Sequence, residues 1–532
     1  MRGSHPVGEF SKGFSAGCDI SWQRKRAVEQ VKLEGLIEGL ALDAKGSLDQ
    51  DVAGLAYDSR QVKAGQVFVA IRGFRVDGHD FAEEAVRRGA VAVVGERWLS
   101  LPASVTQVRV QDSRAALGLL SARFYGYPSR RLRVIGVTGT NGKTTTTYLI
   151  RQGLRQCGRR VGLIGTIANL MEDRALPAIH TTPESLDLQA MFSQMVQAGI
   201  QDVVMEVSSH SVALKRLEGT EFQAGVFTNI TQDHLDFHRT FEEYLAVKAS
   251  FFSRLQAPAR AVVNADDPHA DAILARCPPG PLTYSTRFEG GDLWASHVQV
   301  EPHGTRFLLH THEGEREVRL RLTGHFNVYN SLAALGVGLA LGTDQAAYQK
   351  GLEQVAGVPG RFQALHYGQP FAVVVDYAHT PDGLQNVLQA ARALTKGRVI
   401  VAFGCGGDRD RGKRPIMGSI GARLADWVII TTDNPRSEDP VRICQEVENG
   451  VLEAEKALGV RRHETVVDRA EAIHRAVRLA RPGDVVLIAG KGHETYQIFQ
   501  DRTIHFDDRE VAGQALREAG YAAEGETAVH GQ

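Results

Sequence analysis

The stretch Gly136–Thr147, which reads GVTGTNGKTTTT, constrains this chain more than any other part of the sequence. The apolar run Leu132–Val137 leads into it and predicts a short buried strand. Thr144–Cys157 follows and predicts a helix that ends at Gly158. A strand, a glycine-rich loop and a helix in this order are typical of a phosphate site, because backbone N–H groups and the helix N-terminus face the phosphates.

The same loop carries the side chains that a nucleoside triphosphate requires. Lys143 is placed to reach the outer phosphates, and Thr144 is placed to ligate Mg²⁺. Val137 stands where the pattern G-x-x-x-x-G-K-[ST] has its first glycine, so Gly139 and Gly142 must shape the loop. The pattern predicts a triphosphate site, and the alternative is a glycine-rich turn with an incidental lysine.

Length and composition set the class of protein. A chain of 532 residues is expected to form about three or four domains, and 43% hydrophobic with 23% charged residues is typical of a globular protein. The net charge of −1 gives no basic field for nucleic acid. Five cysteines without a C-x-x-C pair favour reduced thiols in a cytosol. No apolar run reaches the roughly 18 residues of a membrane span, and residues 1–17 lack the apolar core of a secretory signal. We therefore expect a cytoplasmic protein without membrane insertion, and we leave about the first 25 residues out of the fold prediction.

The segment before residue 132 predicts a small α/β domain. An apolar rhythm over residues 26–45 predicts a helix, and short strands are predicted at Val67–Ile71 and Ala90–Gly95. A helix over Ser113–Phe124 precedes a turn where we place the domain boundary. Ser59, with its neighbour Arg60, either binds a ligand or belongs to a solvated turn.

Polar side chains follow several apolar runs of the central segment. Glu206 ends the strand predicted at Asp202–Glu206 and suits a magnesium site beside the loop. Asp233, His234, Asp236 and His238 lie within six residues, and this density of aspartates and histidines is typical of metal ligands. The alternative is that the two histidines simply share one helix face. Lys248 lies in an apolar stretch of the sequence. If its side chain is buried there, burial lowers the pKa of its amine; the alternative is that the side chain extends its amine to the surface.

Strand-to-loop transitions in the last segment also predict a ligand surface. Four predicted strands end in loops rich in Asp, His, Arg, Lys and Glu, and ligands of open α/β sheets bind at the carboxyl ends of strands. Arg436 suits a carboxylate and Glu494 suits an ammonium, which together would fit a zwitterionic substrate. The glycines around Gly404 lack a full dinucleotide fingerprint, so we do not expect a nicotinamide cofactor.

Taken together, these motifs resemble the Mur ligase family over residues 28–515. The motifs, in family order, are TGTNGKTTT, MEVSSH, TNITQDHLDFH, GHFNVYNSLAA, DYAHTPDG, FGCGGDRDRGKRP, TTDNPRSEDP and AGKGHE. The resemblance implies three α/β domains: an N-terminal UDP-sugar domain (26–131), a central P-loop ATPase with a parallel sheet (132–357), and a Rossmann-like C-terminal domain for an amino acid (358–532).

The resemblance also implies roles for particular residues. Those that match the ATP site are Gly139, Thr140, Asn141, Gly142, Lys143, Thr144, Thr145, Asn327, Asn330, Arg361 and Asp376. Those that match the magnesium sites are Thr144, Glu206, His234 and Lys248. Lys248 matches the lysine that carries a CO₂-derived carbamate. The residues that match the catalytic set are Lys143, Glu206, His234 and Lys248. Those that match the UDP-N-acetylmuramoyl-dipeptide site are Ser59, Thr181, Thr182, Ser208 and Arg216. Those that match the amino-acid pocket are Arg409, Asp433, Asn434, Pro435, Arg436, Gly490 and Glu494.

The reaction implied is ATP-dependent amide synthesis through an acyl phosphate, in the assembly of peptidoglycan precursors. The D-N-P-R form of Asp433–Arg436 resembles the members that add meso-diaminopimelate to UDP-N-acetylmuramoyl-L-alanyl-D-glutamate. We expect a monomer that uses ATP and Mg²⁺. The alternatives are a lysine-adding member of the family, a folylpolyglutamate synthetase, and a nucleotide-binding scaffold that has lost catalysis.

Overall fold

The computed structural model describes residues 31–522, except 74–75, 177, 179, 235–236, 288, 290 and 302–303. The chain divides into two compact units, of which the first ends at Ser113 and the second begins at Arg114. About the first 25 residues, which the fold prediction left out, and Asp236 lie outside the described residues. No helix within the described ranges is long and apolar enough to span a bilayer.

The first unit is a small α/β domain around a five-stranded sheet. The strand order is β2-β7-β6-β5-β4, with β4 to β7 parallel and β2 antiparallel to β7. Its elements are β1 (Val31–Lys32), α1 (Leu33–Ile37), β2 (Ala41–Lys45), β3 (Asp51–Val52), β4 (Gly54–Ala56), β5 (Gln66–Val69), α2 (Ala82–Arg87), β6 (Ala92–Gly95) and β7 (Thr106–Val110).

The helix predicted over residues 26–45 is wrong for its second half. The helix of this region covers only Leu33–Ile37, and Gly39 follows it with φ +66°, a conformation that glycine adopts readily. Residues 41–45 then form strand β2, because their backbone groups pair with β7. The apolar spacing alone did not reveal the break at Gly39; residues 26–30 lie outside the described part of the chain.

The central part of the second unit is built on an eleven-stranded sheet. The order is β11-β10-β9-β12-β8-β13-β14-β15-β16-β17-β18. The strands are β8 (Arg133–Thr138), β9 (Val161–Ile164), β10 (Asn169–Met171), β11 (Arg174–Leu176), β12 (Asp202–Glu206), β13 (Ala224–Phe227), β14 (Arg260–Asn264), β15 (Leu282–Ser285), β16 (Leu293–Glu301), β17 (Gly304–Thr311) and β18 (Gly314–Leu320). The helices are α3 (Ser113–Phe124), α4 (Lys143–Gln156), α5 (Ser185–Gln197), α6 (Ser209–Ala213), α7 (Phe241–Ser250), α8 (Ala270–Leu274), α9 (His325–Ala340) and α10 (Gln345–Glu353).

The register of this sheet positions the glycine-rich loop. Strands β9, β12, β8, β13, β14, β15 and β16 run parallel, while β10–β11 and β17–β18 add antiparallel edges that the sequence did not predict. Strand β8 lies between β12 and β13, with Val137 opposite Glu206 and Thr138 opposite Phe227. The carboxyl ends of these three strands are therefore neighbours, and the loops that follow them share one edge of the sheet.

The last part of the chain forms a six-stranded sheet with the order β19-β20-β24-β21-β22-β23. All neighbours are parallel except β19 with β20. The strands are β19 (Gln363–Leu365), β20 (Ala372–Asp376), β21 (Val399–Phe403), β22 (Trp427–Ile430), β23 (His463–Thr465) and β24 (Val485–Ala489), followed by the hairpin β25 (Tyr496–Ile498) and β26 (Thr503–His505). The helices are α11 (Pro381–Ala393), α12 (Lys413–Leu424), α13 (Pro440–Leu458), α14 (Arg469–Leu479) and α15 (Asp508–Glu518).

Both faces of this sheet are covered by apolar cores. One core involves α11, α12 and α13, and the other involves α14 and α15. Strands buried on both faces read as continuous apolar runs, which is why the sequence predicted all four strands that carry polar loops. The predicted α/β class is confirmed by three large sheets, of which the central one carries the P-loop and the second and third lie in one compact unit.

Candidate active site

The glycine-rich loop joins β8 to α4 with a backbone that only glycine accommodates at two positions. Gly139 has φ +148° and Gly142 has φ +84°. A Cβ added to Gly139 would lie 1.9 Å from Thr228 Oγ1, and one added to Gly142 would lie 2.3 Å from Asn330 Oδ1. The helix begins at Lys143, one residue before the predicted start, and its N-terminal N–H groups face the loop.

Lys143 folds back over this loop. Its Nζ donates to Gly139 O (2.9 Å) and Thr140 O (2.8 Å). Burial lowers the pKa of Lys143, although the Glu206 and Asp233 carboxylates oppose that shift. The Lys143 amine therefore donates to two carbonyl oxygens of the loop. A bound phosphate group would take the place of these oxygens as the acceptor.

Glu206 is the last residue of β12, where the sequence placed it, and its carboxylate accepts several hydrogen bonds. Oε1 accepts from Thr144 Oγ1 (2.9 Å) and from the Thr166 N–H (2.9 Å), and Oε2 accepts from Thr166 Oγ1 (3.0 Å). Arg361 Nη2 also donates to Thr144 Oγ1 (3.0 Å). Thr166 was not predicted as a site residue, because it lies in a turn with no recognisable motif.

His234 follows β13 in a left-handed conformation with φ +55°. Its Nε2 lies 3.3 Å from Asp233 Oδ2, and burial lowers the pKa of His234 to about 3, so the ring is neutral. Neutral imidazole is the form that binds metal ions. The His238 N–H donates to His234 O (2.9 Å), and the rings of His234 and His238 both lie against the ring of His210, with centroids 4.8 and 5.9 Å away. Helix α7 begins only at Phe241.

Lys248 lies on α7 with only 1% of its surface exposed. Its Nζ donates to Gly139 O (2.8 Å), the same carbonyl that Lys143 contacts, and lies 4.8 Å from the ring centroid of Tyr244. Burial and then the Lys143 ammonium lower the pKa of Lys248 well below its ordinary value. The alternative, a lysine that extends to the surface, is therefore wrong.

Helix α9 and the start of the last domain close the site around the loop. Asn330 Nδ2 donates to Asn327 Oδ1 (3.0 Å), and Asn330 Oδ1 lies against Gly142. Asp376 accepts from the Phe362 N–H (2.6 Å) and the Ala378 N–H (2.7 Å), and burial raises its pKa. These bonds hold the segment after Arg361 against the end of β20.

One cavity of about 800 Å³ brings most of these residues together. Of the predicted site residues, its lining includes Thr140, Asn141, Gly142, Lys143, Thr144, Thr145, Thr181, Glu206, Ser208, His234, Lys248, Asn330, Arg361 and Asp376. The residues of the predicted amino-acid pocket do not line it. Asn141 Nδ2 donates to Asp382 Oδ2 (2.6 Å), which joins the loop to α11 of the last domain.

Four of the residues predicted for a UDP-linked substrate, Thr181, Thr182, Ser208 and Arg216, form a polar cluster beside Glu206. Thr182 Oγ1 donates to Glu206 O (2.8 Å), and Arg216 Nη1 donates to Thr182 O (2.9 Å). Ser208 caps α6 by accepting from Ser211 N–H (3.1 Å).

Three of the predicted substrate residues, Thr181, Arg216 and Ser59, have partners that were not predicted as site residues. Thr181 Oγ1 lies 3.0 Å from Thr166 Oγ1, and Arg216 pairs with Glu184 (2.8 Å), which was not predicted as a site residue. Ser59 belongs to the first unit, where its Oγ donates to Glu84 Oε2 (3.0 Å).

The predicted amino-acid residues lie on loops at the carboxyl edge of the last sheet. Arg436 adopts φ +53°, and its Nη1 donates to Gly407 O (2.7 Å). A Cβ on Gly407 would lie 1.9 Å from Pro435 O, so the loops after β21 and β22 are in close contact. Arg409 lies on the first of these loops.

Glu494 and Asp433 place two carboxylates in the same loops. Glu494 Oε2 accepts from Asn434 Nδ2 (2.9 Å) and from Lys491 Nζ (3.2 Å). Burial, then the Asp433 carboxylate, raise the pKa of Glu494. A Cβ on Gly490 would lie 2.9 Å from Asp433 Oδ2, which explains glycine at that position.

A buried cation behind these loops was missed by the sequence reasoning. Arg414 on α12 is fully buried, and pairs with Glu438 (2.9 Å) and Glu446 (2.7 Å) while donating to Gly406 O (3.2 Å). Arg414 lies in the motif FGCGGDRDRGKRP and Glu438 in TTDNPRSEDP. They are 24 positions apart, and nothing in either motif indicates that the two side chains pair.

Comparison with known proteins matches one family along most of the chain. The sequence models that match are "Mur ligase family, catalytic domain" at residues 51–125, "Mur ligase middle domain" at 137–338 and "Mur ligase, glutamate ligase domain" at 360–492. A protein of Syntrophomonas wolfei named UDP-N-acetylmuramoyl-L-alanyl-D-glutamate–2,6-diaminopimelate ligase is 44% identical over 92% of this chain and 99% of its own. The Geobacillus kaustophilus protein of the same name is 49% identical over 88% of this chain and 96% of its own.

Solved structures give the same result. A structure titled as UDP-N-acetylmuramoyl-L-alanyl-D-glutamate–2,6-diaminopimelate ligase aligns with a TM-score of 0.67 and 34% identity over 92% of this chain and 99% of its own. Folylpolyglutamate synthase of Mycobacterium tuberculosis aligns with a TM-score of 0.57 over 72% of this chain and 92% of its own, but at 19% identity, which shows a shared fold alone.

Proposed function

Because this chain belongs to the Mur ligase family, we propose that it is the ATP-dependent ligase that joins meso-diaminopimelate to UDP-N-acetylmuramoyl-L-alanyl-D-glutamate during peptidoglycan precursor synthesis. The observation that carries the proposal is identity of 44% and 49%, over about nine-tenths of the chain, to relatives that bear the name of this ligase. The relatives match across all three domains rather than in the ATPase alone.

The glycine-rich loop supports ATP as the phosphoryl donor. Gly139 and Gly142 leave a cradle that a Cβ would fill, and its N–H groups suit phosphate oxygens. Lys143 would exchange the Gly139 and Thr140 carbonyls for the outer phosphates. The remaining proposed ATP residues are Thr140, Asn141, Thr144, Thr145, Asn327, Asn330, Arg361 and Asp376.

The donor set beside the loop suits Mg²⁺. Thr144 provides a hydroxyl and Glu206 a carboxylate, which are the oxygen ligands that Mg²⁺ prefers. His234 is proposed to add a neutral imidazole nitrogen. When bound, Mg²⁺ would neutralise charge on the transferring phosphoryl group.

Lys248 would complete this set as a carbamate. Its depressed pKa favours the neutral amine, and a neutral amine adds to CO₂ with loss of one proton to give an anionic N-carboxylate. The resulting carboxylate would lie close to Gly139 and Lys143, where an oxygen ligand with negative charge suits a divalent cation.

The first chemical step forms an acyl phosphate. An oxygen of the D-glutamyl γ-carboxylate attacks the γ-phosphorus of ATP, and the bond to ADP breaks. Lys143 and the loop N–H groups stabilise charge on the transferring group. Thr181, Thr182, Ser208 and Arg216 are proposed to hold the UDP-muramoyl dipeptide so that its carboxylate meets the phosphate. Ser59 is proposed as a residue of the first unit that binds the same substrate.

The second step forms the amide. The neutral amine of the incoming amino acid attacks the acyl carbon, phosphate leaves, and the nitrogen loses a proton. Arg436 is proposed to hold a carboxylate of this substrate and Glu494 an ammonium. The other residues proposed for this pocket are Arg409, Asp433, Asn434, Pro435 and Gly490.

We propose domain bounds of 26–131, 132–357 and 358–532, in line with the three family matches. We also propose that the protein acts as a monomer in the cytoplasm, where ATP and a nucleotide-linked substrate are available.

Phosphate release tests the proposed reaction. The rate should depend on ATP, the UDP-muramoyl dipeptide and meso-diaminopimelate together, because phosphate leaves only when the amine attacks the acyl phosphate. Release at the full rate with ATP alone would identify an ATPase and contradict the proposal.

A further inference from the structure

Lys491 is a fully buried lysine in the loop after β24. Its Nζ lies 3.2 Å from Asn434 Oδ1 and 3.2 Å from Glu494 Oε2, and it lies 4.0 Å from Asp433 Oδ1. A buried ammonium is costly unless it is paired and hydrogen-bonded. The position of Lys491 is therefore tied to these three side chains.

Lys491 fixes the orientation of the Asn434 amide. Asn434 Oδ1 accepts from Lys491 Nζ and from the Ile498 N–H (3.0 Å), and both of these partners can only donate. A flipped amide would place its NH₂ group against two donors. Asn434 Nδ2 consequently points at Glu494 Oε2 (2.9 Å).

Glu494 is therefore held by one of its two oxygens. Oε2 is bonded by Asn434 and Lys491, whereas Oε1 accepts no hydrogen bond from any residue that the structure describes. The Asp433 side chain lies 4.0 Å from Lys491 Nζ. Asp433 and Glu494 also attract the buried Arg469 guanidinium, which is itself paired with Asp508 (2.7 Å). The three carboxylates of Asp433, Glu494 and Asp508 against the two cations of Lys491 and Arg469 leave an excess negative charge in this buried cluster.

We propose that Lys491 is a positioning residue that holds Glu494 for a second, non-reacting ammonium of the amino-acid substrate. The reacting amine must be neutral to attack the acyl phosphate, so an ionised carboxylate suits the other amine, which stays protonated. Lys491 donates to Oε2 of Glu494, and Oε1 of Glu494 then remains available to accept from that ammonium. The inference rests on the proposed function, because it requires a diamino acid as substrate.

The test compares meso-diaminopimelate with 2-aminopimelate, which lacks the second ammonium. For Lys491→Met, we expect KM for meso-diaminopimelate to rise about 10- to 100-fold, the range for loss of a charged hydrogen bond. KM for ATP and for 2-aminopimelate should change little. Lys456→Met, which removes an exposed lysine of the same domain, is the matched control and should leave all three values unchanged.

A double-mutant cycle shows whether Lys491 acts through Glu494. In a Glu494→Gln background, Lys491→Met should cost much less than it does alone, because its partner no longer carries the charge. Equal costs in the two backgrounds would overturn the inference. An equal loss for meso-diaminopimelate and 2-aminopimelate would also overturn it.

Hydroxylamine separates this inference from the proposed function. As a small nucleophile, it should capture the acyl phosphate as a hydroxamate without using the amino-acid pocket. The Lys491→Met variant should form hydroxamate at the wild-type rate. If this variant does not fold and forms no hydroxamate, Lys491→Arg takes its place in the double-mutant cycle. Absence of hydroxamate from the wild type would overturn the proposed function and this inference with it, whereas a failed cycle with normal hydroxamate would overturn the inference alone.

Discussion

Replacing Lys248 with methionine should abolish turnover while leaving the fold intact. Lys248 makes one hydrogen bond, to Gly139 O, and that carbonyl keeps the Nζ of Lys143 as a second donor. The variant therefore leaves no buried acceptor unsatisfied. Methionine has a similar length and brings no charge into a site with 1% exposure.

The two expected magnitudes differ enough to be separated. Loss of one net hydrogen bond changes the free energy of unfolding by about 1 kcal/mol, and relief of the buried amine offsets part of it. Loss of a preorganised charge beside the transferring phosphoryl group costs about 3 kcal/mol or more, which lowers kcat by at least about 100-fold.

The assay pairs urea unfolding with ADP release in the presence of all three substrates. Wild-type protein prepared without CO₂ should be slow and should regain activity with bicarbonate, while Lys248→Met should not respond. Lys350→Met, which removes an exposed lysine of the central domain, is the control and should behave as wild type. A fully active Lys248→Met variant would refute the carbamate, and a variant that does not fold would refute the account of its contacts.

Three further predictions follow from contacts of the described residues. Arg436→Lys should raise KM for the amino acid at least about 10-fold and leave KM for ATP unchanged, because lysine cannot form a bidentate pair; equal losses would count against the pocket. Gly142→Ala should weaken ATP binding measured by calorimetry, since its Cβ would lie 2.3 Å from Asn330 Oδ1 at φ +84°; an unchanged Kd would contradict the cradle. Arg414 lowers the pKa of Glu438 to about 2, so the stabilisation from this pair is complete above about pH 5 and disappears as the pH falls toward 2. Glu438→Gln should accordingly lower the free energy of unfolding at pH 7 by about 1–3 kcal/mol and by less as the pH falls below 5; an equal loss at all pH values would contradict the pairing.

Local patterns predicted the elements that carry the site. The strand before the glycine-rich loop and the helix after it were placed to within one residue, because a buried strand and a helix start leave strong local signals. Glu206 was predicted from its place at the end of β12. The same reasoning failed over residues 26–45, where Gly39 breaks a regular apolar spacing and β7 pairs with the second half.

Contacts between distant residues were beyond the reach of these patterns. Asn141 and Asp382 are 241 positions apart, and Asn434 and Lys491 are 57 apart. Nothing local marks Lys491 as buried, because its motif is rich in glycine and polar residues. Such pairs follow from the order of strands in the sheets, which the sequence did not predict in detail.

The identity of the product tests the central claim most directly. The protein is given ATP, Mg²⁺ and the UDP-muramoyl dipeptide with meso-diaminopimelate or lysine, and the product is identified by its mass. The account predicts a UDP-muramoyl tripeptide that contains diaminopimelate, formed with one ADP for each product. A lysine-containing tripeptide as the preferred product, or ATP consumption without any tripeptide, would contradict it.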